Sequence, residues 1–188
     1  MIVGLTGYAQ HGKDSMGELF AGIGFRKYAF ADGLRNCVRT LNPVLEHDHR
    51  LVRYADLLDE VGYEAAKQNP EVRRLLQVFG TEVGRDILGE DVWVNALNVA
   101  WANDNRPDAV VTDVRFHNEA EFIHAHGGIL IEVIRLNDDG SPYNNGIGRD
   151  HPSEKFIQEL PTDAGVVARD LDELRAGFDL LCASRGLR

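Results

Sequence analysis

Cysteine is nearly absent: Cys37 and Cys182 are the only two among 188 residues, far apart and in no metal-ligand spacing. That scarcity excludes a disulfide scaffold and a cysteine-built zinc site, and the pair reads as buried thiols in a reduced compartment. No run approaches the ~18 apolar residues needed to cross a bilayer. The opening Met1-Ile2-Val3-Gly4-Leu5-Thr6 lacks the basic start and long apolar stretch of a secretion signal. Basic residues are also in short supply, 20 against 30 acidic ones, for a formal charge of −10. A field of that sign repels a nucleic-acid backbone, so no nucleic acid polymer is expected as a partner. A small anionic substrate stays open if the basic side chains gather in one cleft. The expectation is a soluble cytoplasmic protein with no membrane partner.

What is present is a globular balance, 44% hydrophobic and 27% charged, in a length that fits one domain over residues 1–188. Short β-branched runs alternate with longer helical segments, which predicts an α/β fold with a parallel sheet. Residues 2–6, 109–114, 129–134 and 165–168 read as strands, with 26–30 a weaker one. Helices are expected over 12–20, 33–41, 50–67, 91–102, 118–126 and from 171, where Asp170 is the N-cap and Glu173 follows three residues on. The clearest helix spans 71–88, where Val72, Leu75, Leu76, Phe79 and Val83 form one apolar stripe between Pro70 and Gly89. That stripe reads as core; as a contact surface it would make a homodimer, so monomer and homodimer both remain open. Residues 136–152 are polar and turn-rich, the character of a lid or binding loop.

The strongest local signal is Gly7-Tyr8-Ala9-Gln10-His11-Gly12-Lys13-Asp14-Ser15, between a predicted strand and a predicted helix. This is a P-loop in its required context: backbone N–H groups and the helix dipole face phosphate oxygens, and lysine reaches the outer phosphates. Gly7, His11, Gly12, Lys13, Asp14 and Ser15 are therefore the ATP-binding candidates. Here Asp14 takes the place directly after the lysine and the hydroxyl comes one residue later, at Ser15. Either can meet the metal.

Asp113 ends a buried strand, where a carboxylate can hold magnesium beside the phosphate loop. Arg115, two residues on, belongs to the same carboxyl edge, and arginine's planar fork suits phosphoryl oxygens. Lys13, Arg115 and Asp113 are the catalytic candidates, Arg85 of the 71–88 helix joins them only through a family resemblance, and Ser15 and Asp113 are the metal candidates. His47/His49 and His124/His126 lack zinc-site spacing, and i, i+2 rings on a helix diverge by about 200°. Both pairs read as surface histidines. Trp93 and Trp101 read as core.

The chain resembles the bacteriophage deoxynucleoside monophosphate kinases of the adenylate kinase-like P-loop group. The resemblance covers most of the chain. It rests on Gly7 to Ser15, on Phe30-Ala31-Asp32-Gly33-Leu34-Arg35, on residues 76–85, on residues 111–119, and on Asp150-His151-Pro152-Ser153-Glu154. It implies a P-loop NTPase-type parallel five-stranded sheet flanked by helices, a monophosphate-binding helical region at about 31–90 and a lid at about 136–160. It also implies transfer of the ATP γ-phosphate to a deoxynucleoside monophosphate with Mg2+, in host cytoplasm for a phage-encoded enzyme. On the matching positions, Asp32, Arg35, Gln77, Thr81, Arg85, Arg115 and Asn118 would bind the monophosphate. His151 and Glu154 would belong to the lid or acceptor site, and Asp170 would lie near the adenine. Arg135 and Arg149 are the arginines on offer to the lid.

Two other readings share the fold. A P-loop kinase with another small acceptor, as in dephospho-coenzyme A kinase, would need a base such as Asp32. A non-catalytic nucleotide-binding regulator would use residues 136–152 for a partner.

Overall fold

The computed structural model describes residues 1–144 and 156–187. It divides into two compact units, one of Met1–Ala29 with Val99–Arg188 and one of Phe30–Asn98. Among the described residues no helix is long and apolar enough to cross a membrane.

The first unit is built on five strands, β1 (Ile2–Thr6), β2 (Arg26–Tyr28), and three that follow the second unit: β5 (Ala109–Val111), β6 (Ile129–Arg135) and β7 (Ala164–Ala168). They form one parallel sheet in the order β2-β5-β1-β6-β7, as expected from the alternating pattern. All five residues of β1 are buried, because the strand sits at the centre with a neighbour on each side. β2 is an edge strand with Arg26 and Lys27 exposed, a charged rim that discourages further pairing.

Val3, Leu5, Val110, Ile131, Val133 and Val166 point to one face. They pack with Met16 and Phe20 of α1 (Lys13–Gly22) and with Leu174, Phe178 and Leu181 of the C-terminal helix Leu171–Arg185. Phe20 stands edge-on to Phe25 and Phe178, with centroids 5.2 and 5.0 Å away. Its full burial contributes about 1.5–3 kcal/mol. The helix His117–Ala125 covers the opposite face through Ala120 and Ile123, both fully buried.

Asp163 stitches the entry of β7 to β6. Its carboxylate accepts the Leu130 N–H at 2.8 Å and faces His124 Nε2 at 2.9 Å. Partial burial pushes this carboxyl up, but the Leu130 and His124 hydrogen bonds outweigh it and leave the group below its ordinary value. A folded value below the unfolded one means that the ionised form favours the fold. The contribution is complete above about pH 4 and fades as pH falls through the folded value. Asp163→Ala is therefore expected to lose about 1 kcal/mol at pH 7 and to show a smaller deficit at pH 3. Urea unfolding at the two pH values measures this; a deficit unchanged at pH 3 would assign the loss to packing.

The second unit opens with α2 (Ala31–Leu41), then a two-stranded antiparallel hairpin, β3 (Val44–His47) and β4 (Arg50–Arg53). Helices α3 (Tyr54–Val61), α4 (Tyr63–Ala66) and α5 (Pro70–Val78) follow, then a π-helical stretch Phe79–Leu88 and α6 (Val92–Asn103), which leads back into the first unit. In this numbering His117–Ala125 is α7 and Leu171–Arg185 is α8. Val38, Leu45, Tyr54, Leu57, Ala66 and Val72 make its core, with Leu75, Leu76 and Phe79 of the expected stripe packed against it. Asn69 caps α5 by accepting the Glu71 N–H, with Pro70 at the first helical position.

Several expectations are corrected. Residues 50–53 are a strand, not the start of a helix, because Leu45 and Val52 bury one hairpin face against α3. The predicted 71–88 helix changes hydrogen-bonding register at Phe79. The strand at 109 ends at Val111, not Val114. Cys37 is exposed on α2 while Cys182 is buried, and both are free thiols. Of the four paired histidines only His49 is exposed; His47, His124 and His126 are half-buried. Trp93 and Trp101 are buried as expected, at 6% and 5% exposure.

Candidate active site

The phosphate loop leaves the carboxyl end of β1 and closes on the first turn of α1. Because β5 separates β2 from β1, this is the point where the winding of the sheet reverses, the usual ligand edge of an open α/β sheet. Gly7 and Gly12 hold φ values of 133° and 97°, which side-chain-bearing residues rarely adopt. The Lys13 ammonium is buried and donates to the carbonyls of Gly7 at 2.6 Å and Tyr8 at 2.7 Å. It is thus held against the backbone of the loop. His11 is buried too, its Nδ1 accepting the Arg135 N–H at 3.3 Å and its ring edge-on to Tyr8.

A pocket of about 300 Å³ opens over this loop, lined by His11, Gly12, Lys13, Asp14 and Ser15. Its far wall is Ala168, Arg169, Asp170, Leu171 and Leu174 from the end of β7 and the start of α8. Asp170 lines it too, with its carboxylate occupied in capping α8, accepting from the N–H groups of Asp172 and Glu173. Glu173 is drawn down by its hydrogen bonds and charge contact with Arg169, which hold that guanidinium beside the pocket.

Sequence reasoning offered Arg135 only to a lid; the structure places it in the same pocket, at the end of β6. Its guanidinium lies 4.3 Å from the Tyr143 ring centroid and donates to the Gln10 carbonyl at 3.4 Å. The rule that selected Asp113, a polar residue closing a buried strand, applies equally to Arg135.

Asp113 stands just past β5. Its neighbours Thr112 and Val114 donate backbone N–H groups to Tyr28 of β2 and Leu5 of β1, at 3.1 Å each, which fixes it at the carboxyl edge. Arg115 precedes α7, its N–H accepted by the buried Glu119 carboxylate at 2.7 Å, and Asn118 lies in the first turn of α7. Ser15 and Asp113 are the hard oxygen donors that magnesium prefers. Among the described residues no group of three His, Cys, Asp or Glu side chains could hold a metal ion alone.

The other expected acceptor residues belong to the second unit. Asp32 and Arg35 pair at 2.9 Å on α2, and Arg35 lies 4.8 Å from the Tyr63 ring centroid. Gln77 is exposed near the end of α5, while Thr81 and Arg85 lie four residues apart on the π-helical stretch. Arg85 donates to the Glu90 carbonyl at 3.1 Å. His151, Glu154 and Arg149 lie outside the described residues.

The sequence profile of the deoxynucleotide monophosphate kinase family matches residues 35–167. The chain belongs to this family. It is accordingly a phosphotransferase of the kinase class. A protein of Acanthamoeba polyphaga mimivirus that provisionally bears the same family name is 30% identical over an alignment of 182 residues, covering 85% of this chain and 83% of that one. The deoxynucleoside-5′-monophosphate kinase of Escherichia phage T5 is 36% identical over 85 residues. Those residues make 45% of this chain, and the match spans only 34% of the phage protein. The solved structure of TT1252 from Thermus thermophilus superposes with a TM-score of 0.51 at 16% identity, over 98% of this chain and 97% of that one, a likeness of fold alone.

Proposed function

We propose that the chain transfers the γ-phosphoryl group of ATP to a deoxynucleoside monophosphate, giving a deoxynucleoside diphosphate and ADP. The observation that carries this reading is the pocket of the first unit. A P-loop with a buried lysine runs on into Arg135 and then a mixed wall whose apolar members are Ala168, Leu171 and Leu174, a succession of charge and apolar surface that suits a nucleoside triphosphate. The family assigns the acceptor class.

Gly7, His11, Gly12, Lys13 and Ser15 would hold the triphosphate, with Asp14 at the loop rim. Ala168, Leu171 and Leu174 would flank the base, with Asp170 fixing their backbone. Asp32, Arg35, Gln77, Thr81 and Arg85 are the acceptor candidates of the second unit, and Arg115 and Asn118 those of the first. Residues from about 31 to 90 would serve as the monophosphate-binding region and about 136–160 as the lid, of which 145–155 lie outside the described residues. Ser15 and Asp113 would hold magnesium, which when bound supplies charge neutralisation at the β- and γ-phosphate oxygens.

The acceptor is already an ionised phosphate oxygen, so the protein needs neither a nucleophile nor a strong base. An acceptor oxygen attacks the γ-phosphorus, the bond to the β–γ bridging oxygen breaks, and ADP leaves with that electron pair. Lys13, Arg85 and Arg115 contribute fixed positive charge to oxygens that gain charge, and substrate alignment supplies the rest. Asp32 is engaged by Arg35, as suits a positioning carboxylate better than a base for an alcohol acceptor.

ADP release from Mg·ATP, measured against a panel of deoxy- and ribonucleoside monophosphates, tests the proposal. One or more deoxynucleotides should stimulate release strongly. A flat response from protein that still binds ATP would overturn the acceptor assignment.

A further inference from the structure

The π-helical stretch Phe79–Leu88 carries ten residues, and its closing bond runs from the Gly89 N–H to the Gly84 carbonyl at 3.1 Å, five residues back. Runs of this kind are rare, cluster at functional sites, and need a cause, since the same residues can form α-helical bonds. Trp93 of α6 constrains this stretch directly. Its indole Nε1 donates to the Gly80 carbonyl at 2.9 Å, holding a backbone acceptor inside the stretch.

The ring also fills space that only glycine leaves. A Cβ on Gly84 would lie 2.5 Å from Trp93 Cζ2 and 2.8 Å from Cε2. A Cβ on Gly33 of α2 would lie 3.3 Å from Trp93 Cε3 and 2.9 Å from the Ala96 Cβ. One indole therefore binds the Gly80 carbonyl and occupies the space that side chains at Gly84 and Gly33 would need, on two helices. Each glycine adjoins an acceptor candidate: Asp32 precedes Gly33, Thr81 follows Gly80, and Arg85 follows Gly84.

We propose that Trp93 is a positioning residue for the acceptor nucleotide. It locks the π register of Phe79–Leu88 and the spacing of that stretch from α2, and so sets the directions in which Asp32, Thr81 and Arg85 meet the monophosphate. In an α-helical register Thr81 and Arg85 would turn about the axis relative to Gln77, which stays on α5. The inference rests on the acceptor assignment made above.

Trp93→Phe keeps most of the ring and removes the Nε1 donor. It is expected to raise the KM for the deoxynucleoside monophosphate about tenfold, with the KM for ATP unchanged within twofold. Equal and unchanged KM values, with turnover falling only in step with thermal stability, would reduce Trp93 to a packing residue and overturn the proposal. Wild-type turnover run alongside separates this failure from failure of the acceptor assignment, because without it neither protein would respond to a monophosphate. Should Trp93→Phe not fold, Trp101→Phe decides the matter by leaving Trp93 as the sole indole. Its emission should then change and saturate with monophosphate and stay constant with ATP. Emission indifferent to monophosphate would overturn the proposal.

Discussion

Lys13→Ala should turn over roughly 10²–10³-fold more slowly than wild type, the usual loss when one preorganised donor to a charge-gaining oxygen is removed. The fold should survive. Lys13 Nζ donates to the Gly7 and Tyr8 carbonyls at 2.6 and 2.7 Å, and Lys13 itself lines the pocket, so truncating its side chain opens room for water to reach those acceptors. The stability cost is then about 1–2 kcal/mol, a few degrees in Tm for a chain of this size. Lys13→Arg should not restore activity. A compact ammonium fits between two adjacent carbonyls of one tight turn, whereas a planar guanidinium needs a wider, forked partner. Single-turnover phosphoryl transfer with a thermal melt measures both quantities. Near-normal turnover in Lys13→Ala would remove the phosphate loop from the mechanism altogether.

Gly7→Ala should be among the most disruptive glycine-to-alanine changes at the described residues. The backbone at Gly7 has φ 133°, and an added Cβ would come within 2.3 Å of the Val133 carbonyl oxygen. Val133 belongs to β6, which pairs with strands on both sides, so that oxygen cannot retreat without breaking the sheet. Strained backbone and steric overlap together should cost about 3 kcal/mol or more, or roughly 6–12 °C in Tm. ATP affinity should fall more than tenfold as the loop is forced out of shape. Gly22→Ala is the matched control: no atom lies within 4 Å of its Cβ and it sits within α1, so stability should hold or rise by about 0.5–1 kcal/mol. Calorimetry and an ATP titration on both variants make the comparison. Equal Tm values for the two would contradict the geometry of the loop.

The two glycine variants also illustrate which features can be read locally. The phosphate loop, β1 and α1 were legible because each signal lies within a few consecutive residues: a buried apolar run, spaced glycines, a lysine and a helix start. The five-stranded parallel sheet was legible from alternating strand and helix patterns, and Asp170 from its place before an amphipathic run. The hairpin of residues 44–53 was not. Its turn residues Asp48 and His49 take φ values of 48° and 62° with no glycine to mark the reversal, and packing of Leu45 and Val52 supplies the missing incentive.

Residues 70–88 show where local reading stops. Their apolar spacing suits an α-helix throughout, and α5 forms as expected. The π bonding beyond Val78 is constrained by Trp93, fourteen residues after Phe79, whose indole takes up the Gly80 carbonyl and fits against Gly84. Arg135 is a similar case. Its own neighbourhood reads only as the end of a strand; the pairing of Thr6 with Glu132 brings that strand end beside the phosphate loop. The sequence by itself determined the elements, their order and the chemistry of the P-loop, since those depend on spacing between near neighbours. Tertiary structure alone decided the helical register at Thr81 and Arg85 and the place of the Arg135 guanidinium beside the loop of residues 7–15, since both depend on contacts between residues distant along the chain.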